Sequence, residues 1–166
     1  MSDSVYKETR KSLGLTRDDV CDKAQSLGKP IQPERLERIE NKKFPITPEE
    51  VLILSEIYSE PTLWNYYCTH ECPIGKDYVR PIKIKDLAQI VLEMLSSLNS
   101  MKKSQERLIE ITADGIIDDN ELKDFIFIQN ELCRISDTVQ TLQVWVNKML
   151  ADGKINLDKY NELKNI

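Results

Sequence analysis

Three helix starts punctuate the first fifty residues, and their spacing restricts this part of the chain to short helices. Thr16 is followed three residues later by Asp19, a variant of the capping box. Gln32-Pro33 puts proline at a first helical position, where its missing N–H costs nothing. Thr47-Pro48-Glu49-Glu50 combines a threonine cap, proline at the first helical position and glutamate at the third. Gly14 and Gly28 suit the left-handed residue that ends the two preceding helices.

Between these marks apolar residues recur at three- and four-residue steps, the helical period. Val5, Tyr6, Thr9 and Leu13 share one face of a helix from Ser4 to Leu13. Val20, Cys21, Ala24 and Leu27 form the buried stripe of the second. Leu36 and Ile39 face inward on the third, with Glu34, Arg35 and Arg38 outward. Val51, Leu54, Ile57 and Tyr58 bury the fourth, Glu60-Pro61 breaks it, and Thr62 to Glu71 forms a fifth that presents Leu63, Trp64 and Tyr67. Lys76 to Lys85 lacks apolar periodicity and marks a domain boundary, giving 1–75, a linker at 76–84 and 85–166.

The C-terminal half carries a longer rhythm. Leu87, Val91, Met94, Leu98, Met101, Gln105, Leu108 and Thr112 keep a heptad register, and so do Ile128, Leu132, Ile135, Val139, Leu142, Val146 and Met149. Asp118 with Glu121 opens the second run. These rows predict two long helices packed antiparallel along those positions, followed by a short C-terminal helix. Ile90, Phe125, Phe127 and Trp145 are left outside that seam, so a partner chain or the N-terminal domain must cover them, and a homodimer is expected.

Composition agrees with an all-α fold: five Gly, seven Pro and few β-branched runs among 166 residues. The longest apolar runs fall far short of the roughly 20 residues that span a bilayer. MSDSVYKETRKSL has no apolar core before a cleavage site, so no membrane association and a cytoplasmic location are expected. Four scattered cysteines are expected as reduced thiols. The net charge of −5 is spread over both halves, with 11 basic against 13 acidic residues up to Lys76 and 12 against 15 beyond it. Neither half is a basic nucleic-acid module by composition.

Leu15-Thr16, the helix pair, Leu36-x-x-Ile39-Glu40-Asn41 with the lysine after it, and Pro48-x-x-Val51 resemble the lambda-repressor/Cro-like (XRE-type) helix-turn-helix family, over roughly residues 5 to 70. The resemblance implies a five-helix repressor-like domain whose third helix lies in the major groove of double-stranded DNA. By position it implies that Thr16 and Arg17 touch phosphates, that Gln32, Glu34, Arg35 and Arg38 face the groove, and that Lys42 and Lys43 meet the DNA backbone. The chain departs from the pattern in two places. Leu36 follows Cys21 by fifteen residues, so the turn is about five residues longer, and Lys42 replaces the glycine common after Glu-Asn. Gln32 to Lys43 holds four basic and three acidic residues. The string YC-x-x-EC-PIG, Tyr67 to Gly75, resembles one in clostridial regulators of this type and implies no mechanism.

Cys68, His70 and Cys72 are the closest approach to a metal-ligand cluster. A closed zinc site needs four ligands, however, and on a helix His70 points away from the face shared by the cysteines. Ala113-Asp114-Gly115-Ile116-Ile117-Asp118 and its echo Ala151-Asp152-Gly153-Lys154-Ile155-Asn156 resemble the middle of a calcium loop. Lys148 and Lys159 frame the second copy, and the first, Glu110 to Glu121, lacks acidic ligands at key positions. Helix ends and caps account for both, with Ile117 and Ile155 placed to pair as a two-stranded bridge. No catalytic set, phosphate loop or cofactor site assembles, so no enzyme and no cofactor are expected. The expectation is a dimeric sequence-specific transcriptional regulator; its alternative is an interaction adaptor of the same fold that does not bind DNA.

Overall fold

The computed structural model describes residues 3–164; Met1, Ser2, Asn165 and Ile166, which the expected domain bounds include, lie outside the described residues. Among the described residues there are nine helices and no strand: α1 (Val5–Ser12), α2 (Arg17–Ser26), α3 (Pro33–Glu40), α4 (Pro48–Ile57), α5 (Thr62–His70), α6 (Pro73–Tyr78), α7 (Leu87–Ile111), α8 (Leu122–Ala151) and α9 (Leu157–Lys164). The fold is all-α, and none of these helices is long and apolar enough to cross a membrane. The chain divides into two compact units, Met1–Pro81 with Asn147–Ile166, and Ile82–Val146.

In the first unit the caps form at the expected residues. Thr16 N donates to Asp19 Oδ2 at 2.7 Å, and Asp19 N returns a bond to Thr16 Oγ1 at 3.1 Å. Thr47 and Glu50 repeat the pair at 2.8 and 3.3 Å. Pro33 opens α3, although Gln32 gives no side-chain cap. Behind these starts Val20 and Ala24 of α2, Leu36 and Ile39 of α3, Val51 and Leu54 of α4 and Leu63 of α5 close a core with Tyr6 of α1.

The lengthened turn between α2 and α3 is anchored in that core. Leu27, expected inside, is 40% exposed, whereas Ile31 is 6% exposed. Leu27 is the C-cap of α2, and Gly28 at φ 71° turns the chain away, so Ile31 takes the inward position instead. Lys42 adopts φ 56°, a left-handed conformation at the place where the resembled family carries glycine.

α6 was not expected. Pro73 begins it, Cys72 caps it through Sγ accepting from Gly75 N at 3.4 Å, and the helix runs to Tyr78. Gly75 lies so close to α5 that an added Cβ would stand 2.2 Å from the Cys68 carbonyl oxygen. Asn65 Nδ2 donates to the Arg80 carbonyl at 3.0 Å. Lys148, near the end of α8, donates to the Ser59 carbonyl at 3.0 Å and to Glu60 at 3.3 Å, which ties this last turn to the α4–α5 connection.

The second unit is the long helical pair. Arg107 Nε donates to Asp124 Oδ2 at 2.7 Å near the connecting turn, and Ser97 lines a cleft with Thr138 and Thr141 further along, as antiparallel helices require. The rows that close the pair differ from the expected heptad. Leu87, Val91 and Leu98 of α7 are 41%, 45% and 48% exposed, and Leu132 and Val139 of α8 are 47% and 40% exposed. The buried positions are Ile90, Ser97 and Ile111 on α7, and Ile128, Glu131, Thr138, Thr141 and Val144 on α8. A row stepped by seven residues can serve either of two adjacent faces; here the inner one joins Ile90, Ile111, Val144 and Ile128, the last from the expected row, with Ser97, Thr138 and Thr141. Neither Ile117 nor Ile155, expected to pair as a bridge, has strand or bridge conformation. Asp118 Oδ1 instead accepts from Asn120 and Glu121 N, and Asn156 Oδ1 from Lys159 N.

Gly75→Ala is expected to lower unfolding stability by about 1–3 kcal/mol in urea melts, through overpacking against α5. Tyr58→Phe is expected to leave stability unchanged or raise it by up to about 1 kcal/mol, because the buried Tyr58 hydroxyl has no hydrogen-bond partner among the described residues.

Candidate nucleic-acid interface

The residues implied for DNA contact surround α3, whose position is set by two carboxylates. Glu40, at its last turn, is 1% exposed. Arg10 of α1 donates to it through Nε at 2.5 Å and Nη2 at 3.0 Å, and Arg17 of α2 through Nε at 2.9 Å. Arg10 Nη1 also donates to the Leu15 carbonyl at 2.7 Å. Burial pushes the Glu40 carboxyl up, but the hydrogen bonds from Arg10 and Arg17 outweigh it and hold the group below its ordinary range.

Glu50 grips the other flank. Arg35 donates to it through Nε at 2.6 Å and Nη2 at 2.7 Å, and to the Pro45 carbonyl at 2.9 Å. Burial raises the Glu50 carboxyl, while Arg35 and the Thr47 N–H bring it below its ordinary value. The same carboxylate therefore caps α4 and binds α3 to it. Arg35 lies along the α3–α4 junction, so its guanidinium is committed to a bidentate bond within the domain.

These clasps divide the implied contact residues. Thr16, Arg17 and Glu34 line one groove of about 610 Å³, together with Lys7 and Lys11 of α1. Thr16 Oγ1 donates to Asp19 at 2.6 Å, and Arg17 is turned toward Glu40. Gln32 and Arg38 stay on the exposed surface of α3, and the Arg38 guanidinium sits 5.6 Å from the centre of the Phe44 ring. Lys42 and Lys43 are exposed beyond the helix end, and Lys42 lines a second cleft of about 410 Å³ with Phe44, Tyr66 and Glu71. Sequence reasoning missed Lys7, Lys11 and Phe44. The lysines were signalled by their four-residue spacing on the polar face of α1, whereas nothing in the sequence marked Phe44 as 53% exposed.

The cysteine–histidine cluster is directed elsewhere. The His70 ring stacks on Tyr66 at 4.4 Å, with Nδ1 2.7 Å from Thr69 Oγ1 and 3.1 Å from the Tyr66 carbonyl. Cys72 Sγ is engaged with Gly75 N. Burial pushes the Cys68 thiol up, which disfavours the thiolate a metal would need. Among the described residues no group of three or more His, Cys, Asp or Glu side chains is placed to hold a metal ion.

No family model, curated protein or solved structure matches this chain.

Removing the Glu40 charge tests the first clasp. Glu40→Ala is expected to cost about 3–5 kcal/mol, because it leaves Arg10 buried without its partner. Glu40 has a depressed folded pKa, so its stabilisation is present above its ordinary value near 4.5 and is lost as pH falls through the folded value. Urea melts from pH 7 down to pH 3 are expected to show a shallower acid decline for Glu40→Gln than for the parent chain.

Proposed function

We propose that this chain is a sequence-specific DNA-binding transcriptional regulator that acts as a dimer, with α3 presented to the major groove. The observation that carries the reading is that α3 buries Leu36 and Ile39, is fixed at both flanks by Glu40 and Glu50, and leaves Glu34, Glu37 and Arg38 exposed, with Gln32 exposed at its N-cap. An element that reads base edges must be rigid and must keep its polar face in solvent. Within that reading Gln32 and Glu34 offer an amide and a carboxylate to adenine and cytosine edges, and Arg38 offers donors to guanine. Lys42 and Lys43 meet the phosphate backbone, with Lys7, Lys11, Thr16 and Arg17 along the adjoining groove. Arg35 is a positioning residue in this account.

A second reading is an interaction adaptor of the same fold that does not bind DNA. The net charge of −5 favours it, as does the engagement of both Arg17 and Arg35 with carboxylates of their own domain.

Selection of bound fragments from genomic DNA by the purified protein separates the two. The regulator is expected to enrich a defined sequence, and Arg38→Ala to lose or relax one position of it at a cost of about 1–3 kcal/mol. Lys42→Ala and Lys43→Ala are each expected to weaken binding uniformly and to lower the salt slope by about 1. Absence of any enriched sequence, or affinity that does not change with salt, rejects the regulator in favour of the adaptor.

A further inference from the structure

Taking the chain to act as a dimer through its C-terminal helices, a reading on which this rests, we infer that the exposed rows of α7 and α8 form one continuous apolar face that packs against the same face of a second copy.

Leu87, Val91, Leu95 and Leu98 step along α7 by four and three residues and are 41–55% exposed, while Leu132 and Val139 lie seven apart on α8. At 3.6 residues per turn, each row lies roughly 100° around its helix from the buried positions. The two helices run in opposite directions, so the equal angular offsets bring both rows onto the same side of the pair. Leu98 then lies beside Leu132, and Val91 and Leu95 beside Val139. Ile90, Ile111, Ile128 and Val144 already close the inner side of the pair, with Ser97, Thr138 and Thr141 buried along a cleft of about 350 Å³, so the exposed rows are not needed to hold the hairpin together.

Several features select a second copy as the occupant. The six apolar side chains include no charge, and the rim on α8 is Gln129, Ser136 and Gln143, so a strongly charged partner finds no complement there. A neutral face meets an identical face without repulsion, and a twofold pairing repeats each contact. Six large side chains about half exposed offer roughly 500 Å² per copy, or about 1,000 Å² for two copies, the lower limit for a specific interface before the rims are added. Lys102 ends the apolar row on α7, limiting the face to the first half of that helix.

Sedimentation velocity of the full chain without DNA tests this, using Leu95→Glu and Leu132→Glu, with Leu52→Glu on α4 as a control that is also exposed. The parent and the control are expected to sediment as dimers, and each face variant to raise the dimer dissociation constant at least about tenfold while retaining its helical circular dichroism. If a face variant unfolds, carbene labelling of the parent chain replaces it: labelling at Leu95, Leu98 and Leu132 is expected to rise on dilution below the dissociation constant. A monomeric parent at high concentration, dimers unaffected by both substitutions, or labelling independent of dilution overturns the inference. The readout contains no DNA, so a dimer that fails to select any DNA sequence rejects the regulator and leaves this face standing.

Discussion

A buried carboxylate holding two arginines decides the position of α3. Glu40 is almost fully enclosed, and an ion taken out of water is tolerated only if its partners satisfy it. Arg10 and Arg17 do so from two different helices, with three charge-assisted bonds between 2.5 and 3.0 Å. Leu36 and Ile39 seat α3 in the hydrophobic core with residues of α1, α2 and α4. The bonds from Arg10 and Arg17 add a directional constraint at the C-terminal end of the helix. They join α1, α2 and α3 around one charge.

The Arg35–Glu50 bond plays the matching part toward α4, and it uses a residue that already caps that helix. Two consequences follow for the exposed surface of α3. The polar groups left free to meet a partner are Gln32, Glu34 and Arg38, a mixed set rather than a basic one. On one edge Lys7 and Lys11 are paired with Asp3 at 2.9 and 3.0 Å, and on the other Lys43 is exposed.

Much of the local structure was legible in the sequence, because caps are short-range chemistry. Thr16 and Thr47 mark helix starts through bonds spanning three residues and Pro33 through its fixed backbone angle, and each helix begins where they place it. Burial of charge was not legible: Arg10 and Glu40 are thirty residues apart, and no local pattern pairs them. Ile31 escaped notice because an isolated apolar residue in a turn has no period. The heptad rows are instructive in a different way. Their spacing correctly identifies apolar stripes on α7 and α8, yet period alone cannot say which stripe closes the hairpin, since Ser97 and Thr138 follow the same seven-residue step one face away. α6 was hidden by its length and by Gly75, a residue that ordinarily weakens a helix and is needed here for close approach to Cys68.

We propose that α3, held by Glu40 and Glu50, is the element that meets DNA. The most direct test is nuclear magnetic resonance of the side-chain amide and guanidinium signals as a selected DNA fragment is added. The account predicts that Gln32 Nε2 and Arg38 Nε shift strongly while Arg35 Nε, held by Glu50, keeps its free-state position. Shifts absent from Gln32 and Arg38, or a large displacement of the Arg35 signal, would contradict it.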